Sequence, residues 1–232
     1  ATTQDITDAG AATVGGNATF TTSAADADID LNLLAVAGTL SANTNGTTGN
    51  ATLVNTTDID FAASNVGGNL TATATTQNIT DTGAATVGGN ASFTTTLADA
   101  DIDLNLLAVA GTVAVNTNGS GGDATLVNTT DLNLAASSVG GNLIATATTQ
   151  DLTDSGIVSV TGNATFTTSN AGDDILLNSG LAVGGTLSLN TAGAGDATAI
   201  NATDINFATS NVGGNLVATA TTQDITDAGA AT

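Results

Sequence analysis

Aspartate is the only residue in this chain that could do acid, base or metal chemistry. The 232 residues include 21 Asp and no Glu, Lys, Arg, His or Cys. Triads, zinc centres and cysteine nucleophiles therefore have no ligands or bases to use. Paired carboxylates can cleave glycosides. Here, however, the same acids return at fixed intervals along the whole chain, whereas a catalytic cleft is a single irregular place. The expectation is that the protein is not an enzyme. The other chemistry open to carboxylates is binding a hard cation through oxygen. The segments D-A-D-I-D (Asp26, Asp28, Asp30) and T-D-I-D (Asp58, Asp60) set acids on either side of an apolar residue, with counterparts at Asp101, Asp103, Asp131, Asp174 and Asp204. Alternation around an inward Ile turns those carboxylates outward. If the acids stack on successive coils about 4.8 Å apart, Ca²⁺ bridging would relieve their repulsion. The competing reading is a solvated acidic face whose aspartates also close Asx turns. No EF-hand loop and no G-G-x-G-x-D nonapeptide is present to favour calcium.

The formal charge of −21, with no cation to offset it, narrows the partners. Phosphate backbones and anionic membranes would be repelled, so neither nucleic-acid binding nor membrane insertion is expected. No apolar run approaches the ~18 residues of a membrane helix. Eleven residue types build the whole chain, and Pro, Met, Trp and Tyr are also absent. Disordered chains are poor in aliphatics and rich in Pro, Glu and Lys. This chain is 41% hydrophobic.

The elements that hold the aspartates come from a repeat. A-T-T-Q-D-I-T-D-A-G-A-A-T occupies 1–13 and returns at 220–232, with near copies from Ala74 and Ala147, a period of 73 residues. The units are 1–73, 74–146 and 147–219, followed by a partial unit 220–232, and the expectation is a continuous solenoid cut from a longer array. Within each unit a V-x-G anchor occurs three times, at Val14, Val36 and Val66 in the first. Anchor spacings are 22, 30 and 21 residues in the first two units; in the third, the first two become 23 and 29. This predicts three coils per unit, with length changes absorbed in loops and irregular loops at 44–50, 117–123 and 191–196.

After each anchor apolar and polar residues alternate, as in Ala18 and Phe20 against Thr19 and Thr21. Period two is a strand with one face in and one face out. The prediction is an all-β fold without helices, a right-handed parallel β-helix of two or three strands per coil. Phe20, Phe93 and Phe166 fall at one repeat position and are expected to stack inside. Thr21, Asn43, Thr73, Thr94, Asn116, Thr146, Thr167, Asn190 and Thr219 are expected to form one outward column bonding along the axis. N-x-S/T sequons are frequent; those at Asn45, Asn50 and Asn118 are expected to be the most exposed.

The pattern VGGNLTATATTQNITDTGAATVGGNASFTTT resembles the low-complexity repeats of large bacterial surface proteins of the filamentous-haemagglutinin type. That resemblance spans the chain and implies a right-handed parallel β-helix in a long secreted adhesin. It carries over no receptor-binding or secretion motif. Together these readings point to a structural extracellular or cell-surface filament, sheath or adhesin stalk whose partners are further copies of itself. A module binding surface glycans through the irregular loops is the alternative. An ice-binding solenoid is a weaker one, because Ser41, Ala114 and Ile144 interrupt the Thr rows.

Overall fold

The computed structural model describes residues 1, 2 and 4–230; Ala231 and Thr232, the end of the partial unit, lie outside the described residues. The described chain is all strand, bend and coil, wound into a β-solenoid of about 11 turns. Two parallel sheets, of 14 and 13 strands, face each other across the interior. The chain crosses from one sheet to the other in short legs. In the first unit these are 6–14, Ala18–Ala25, Ile29–Val36, Thr39–Asn45, Ala51–Asn55, 59–66 and Leu70–Ala74, numbered here legs one to seven. Odd-numbered legs lie in the first sheet and even-numbered legs in the second. Legs one and six each hold two short strands around a kink.

Alternation builds each leg. In Ala51–Asn55 the residues run buried, half-buried, buried, so Ala51 and Leu53 face in while Thr52 and Val54 face out. Parallel pairing then stacks each leg on the leg two positions earlier, with Ile6 beside Ile29, Ile29 beside Ala51, Ala51 beside Leu70 and Leu70 beside Ala91.

Seven legs per unit is an odd number, and this corrects the expectation of three coils. A unit makes three and a half turns, so leg one lies in the first sheet at Ile6, in the second at Ile79, and in the first again at Leu152. Consecutive units present the same residues on opposite faces. The leg missing from the three-coil reading is Ala51–Asn55, with its copies Ala124–Asn128 and Ala197–Asn201. The 30-residue anchor interval holds three legs, while the 22- and 21-residue intervals hold two.

Two further expectations fail for the same reason. Phe93 is in the first sheet between Ala72 and Val115, whereas Phe166 is in the second between Ala145 and Leu189. The Phe positions do not stack. Instead Phe61, in the second sheet, meets Phe93 edge-on across the interior, with ring centroids 6.1 Å apart and planes at 78°. A small Ala beside each of Phe20, Phe93 and Phe166 leaves room for the ring. The Thr/Asn column likewise divides: Thr73, Thr94 and Asn116 stack in the first sheet, and Thr146, Thr167 and Asn190 in the second.

The expected irregular loops are ordered corners. At 44–50 the Thr44 hydroxyl donates to the Gly49 carbonyl at 2.8 Å and accepts from the Gly67 N–H at 2.9 Å. Asp26 Oδ1 accepts from the N–H groups of Thr47 and Thr48, both at 3.1 Å. The residue gained in the third unit enters a strand: Ile175–Val183 has 9 residues where Ile29–Val36 has 8, and Gly180 takes a φ of +131°. A bulge, which interrupts pairing locally, can absorb it.

Candidate functional site

Legs two, three, four, five and seven are entered through a bend whose N–H is met by a side chain rather than by its own sheet. Asp and Asn supply the missing acceptor from one turn away. Asp5 Oδ1 accepts from Asp28 N at 2.9 Å, and Asp28 Oδ1 from Asn50 N at 2.7 Å. Asn50 and Asn69 accept from Asn69 N and Asn90 N, each at 2.8 Å, and Asn90 accepts from Thr112 N at 2.9 Å. A second ladder runs on the other sheet through Asn78, Asp101, Asp123, Asn142 and Asn163 to Thr186 N. A third runs from Asp151 through Asp174 and Asp196 to Asn215 N. Carboxylates and carboxamides both offer a side-chain carbonyl-type oxygen, so Asp and Asn interchange along a ladder. Thr112 and Thr186 offer none, and the ladders stop there. The first two ladders each pass from leg seven of one unit into leg two of the next.

This arrangement explains the glycine of the V-x-G anchor. A Cβ on Gly89 would lie 2.5 Å from Asn69 Oδ1 and 2.8 Å from the Gly68 carbonyl oxygen. The ladder oxygen occupies the space a side chain would need.

Aspartates at a second position, in T-D-x-G, cap a defect. Leg three carries a bulge, with pairing register shifting between Leu31 and Leu34, Leu104 and Leu107, and Leu177 and Leu181. Asp8 Oδ2 accepts from Leu33 N at 2.6 Å. Asp81 spreads its two oxygens over Asn105 N at 3.0 Å and Leu106 N at 2.9 Å. Asp154 takes Asn178 N and Ser179 N on Oδ1 alone, both at 2.9 Å, which leaves a buried Oδ2 without a partner. Burial raises Asp81 above the ordinary carboxylate pKa, reinforced by Asp103 and Asp60 and opposed by the two backbone donors. Asp26 moves the other way, lowered chiefly by its hydrogen bond to the Thr48 side chain and then by the Thr48 N–H.

A third device is neutral. Asn128 is fully buried; its Oδ1 accepts from Val109 N at 2.9 Å, and its amide donates to the Val109 carbonyl at 3.0 Å, to Thr130 Oγ1 at 3.0 Å and to the Asp131 carbonyl at 2.5 Å. Asn55 and Asn201 repeat the arrangement. Their sequons are closed by burial. Asn45 and Asn118 are exposed as expected, but their side-chain nitrogens donate to the Ser23 and Thr96 carbonyls, each at 2.8 Å. Asn50, half-buried, donates to Asp28.

The aspartates flanking Ile behave in part as read. Ile29, Ile59 and Ile102 are buried, Asp30 and Asp103 are exposed, and Asp60 is half-buried. Thr, however, separates the outward acids: Thr80 lies between Asp60 and Asp103, and Asp30 sits between Thr7 and Thr52. Asp28, Asp101 and Asp174 are ladder members, and Asp58, Asp131 and Asp204 precede leg six. Acids occupy neighbouring rungs within the ladders, where one oxygen of each accepting member is committed to a backbone N–H, and outside them at Asp131 beside Asp151 and Asp204 beside Asp224. Among the described residues no group of three or more carboxylates is placed to hold a metal ion.

The acids nevertheless form a pattern that the linear sequence hides. All lie in or just before legs six, one, three and five, except Asp26, Asp99 and Asp173 in the corner after leg two. Legs seven, two and four carry none. On each face, therefore, four acidic rungs alternate with three neutral rungs rich in Thr, Ser and Asn. Behind an acidic band lies a neutral band on the opposite face.

The repeat matches a described family model at residues 1–35, 48–116 and 121–180, the greater part of the chain. The chain belongs to the family of repeats of unknown function, DUF5649. No curated protein and no solved structure matches it. Of the functional residues, the T-D-x-G aspartates and the buried Asn of N-x-T-D went unrecognised in the sequence. Their exact return at 73-residue spacing, as Asp8, Asp81 and Asp154 or Asn55, Asn128 and Asn201, was the available signal.

Proposed function

We propose that this repeat is a load-bearing segment of a structural filament or adhesin stalk, secreted or held at a cell surface. The observation that carries the reading is the bridging of unit boundaries by the ladders. Asn69 of the first unit holds Asn90 of the second, and Asn142 of the second holds Asn163 of the third. A unit joined in this way is a stretch of rod rather than a separate domain. Solenoids stacked by nearest-neighbour contacts gain stability with each repeat, as a mechanical spacer requires. The resemblance to filamentous-haemagglutinin-type repeats supports the surface location. The absence of Lys and Arg leaves trypsin-like proteases no cleavage site. The glycan-binding alternative relied on irregular loops, and the pinned corners at 44–50 give it no support.

Tandem concatemers of two, four and six units test the proposal by electron microscopy and thermal melting. Rods whose length grows by about 17 Å per unit, three and a half turns at the inter-strand spacing, are expected. Midpoints should rise with unit number before levelling off. Discrete compact particles, or units that melt independently, would refute it.

A further inference from the structure

We propose that two copies of this chain pair face to face with a stagger of half the face period, each neutral band seated on the partner's acidic band. The inference extends the filament reading to lateral contacts. Its test uses single chains, so it stands or falls independently of how filaments grow in length.

The argument starts from hydrogen-bonding capacity. In the neutral band of the first sheet, the side-chain amides of Asn69 and Asn90 and the hydroxyls of Thr71, Thr73, Ser92 and Thr94 have no acceptor within the described residues. The next acidic band on that face carries Asp131, Asp151, Asp174 and Asp196 on consecutive rungs. Ionised carboxylates only accept. Each of these four keeps an oxygen outside the ladder bonds. One band is thus rich in unpaired donors and the other in unpaired acceptors.

Charge sets the register. Two copies carry −21 each, and acid laid on acid is unfavourable. Each face repeats after seven turns, about 34 Å, so a shift of half that period, about 17 Å, brings unlike bands together over all but about one rung in seven. A two-fold axis lying in the contact plane, at right angles to the solenoid axis, satisfies this with one self-complementary contact, the neutral band of each copy meeting the acidic band of the other. Outward side chains there are short, chiefly Thr, Ser, Asn and Asp, as face-to-face sheets about 10 Å apart require. Because the odd leg count gives the opposite face the same pattern, each chain can pair on both sides. Salt should strengthen pairing by screening the net repulsion.

Single-cysteine variants Thr94→Cys, in the neutral band, and Thr153→Cys, in the acidic band of the same face, are mixed and treated with a short bismaleimide. Neither protein contains another cysteine. The mixed dimer is expected in about tenfold excess over either homodimer. Adding Thr71→Asp and Thr73→Asp to the Thr94→Cys chain should abolish that excess while circular dichroism stays unchanged. Equal yields of the three dimers, no cross-linked dimer in moderate salt, or an excess that survives the added aspartates would each overturn the proposal.

Discussion

Asn128 and Asp154 perform the same task at two corners of the solenoid. Both are buried, and both satisfy backbone N–H groups one turn away that the sheets leave unpaired. Asn128 is neutral and has every polar atom bonded. Asp154 carries a carboxylate with one oxygen that has no partner. A fully satisfied amide stabilises at no charge cost, whereas a buried carboxylate spends part of its hydrogen-bond gain on desolvation. Truncating the first should therefore damage the solenoid more than neutralising the second.

The largest effect is expected from Asn128→Ala, which strands Val109 N in the interior and leaves the Thr130 hydroxyl as the one side-chain donor among the described residues to the Val109 and Asp131 carbonyls. A loss of about 3 kcal/mol is expected from urea titration, with hydrogen exchange at Val109 N accelerated accordingly. A loss below about 1 kcal/mol would mean that water replaces the side chain.

Gly89→Ala comes next, because its Cβ would meet a backbone carbonyl and the Asn69 ladder oxygen. About 2 kcal/mol of destabilisation is expected by the same titration.

The T-D-x-G aspartates sharpen the comparison, since one substitution should act in two ways. Asp81 uses both oxygens, so Asp81→Asn turns an NH₂ group toward a backbone N–H and should cost about 1–2 kcal/mol. Asp154 uses only Oδ1, so Asp154→Asn keeps both bonds and removes the unpartnered charge. It should be neutral or stabilise by up to about 1 kcal/mol. Equal losses in the two variants would show that charge, rather than oxygen count, holds the bulge.

The pH dependence follows from the raised Asp81 pKa. The folded state holds this proton more tightly than the unfolded state, so the stability linked to this group is greatest below the ordinary value of 3.8 and declines as pH rises through the folded pKa. Melting curves between pH 3 and 7 should show that decline in the parent and a shallower one in Asp81→Asn. The smallest effect is expected from Asn69→Asp, which keeps the ladder oxygen: a shift within about 0.5 kcal/mol.

Much of this architecture can be read without coordinates. Alternation such as Ala18, Phe20 against Thr19, Thr21 already identifies strands and their inward side, because the β pleat imposes period two locally. The outward direction of Asp30 and Asp103 follows from the same rule. Ala51–Asn55 obeys it too, but it has no V-x-G anchor, and counting anchors passes over it. The buried Asn128 was obscured because its tetrapeptide reads equally well as a sequon or a turn. The ladder aspartates could be recognised as repeating residues but not as acceptors, since their donors lie about 20 residues away, at a distance set by the winding.

What the sequence by itself determined is local: the 73-residue period, the strand character of each leg and the set of residues that face inward. What only the tertiary structure decided is parity. Seven legs to a unit place equivalent residues on opposite sheets, so the Phe positions never stack and the acids gather into bands that change face. Side-chain alternation depends on a residue and its immediate neighbours. Stacking depends on how many times the chain has crossed between sheets, a whole number that changes with every added corner.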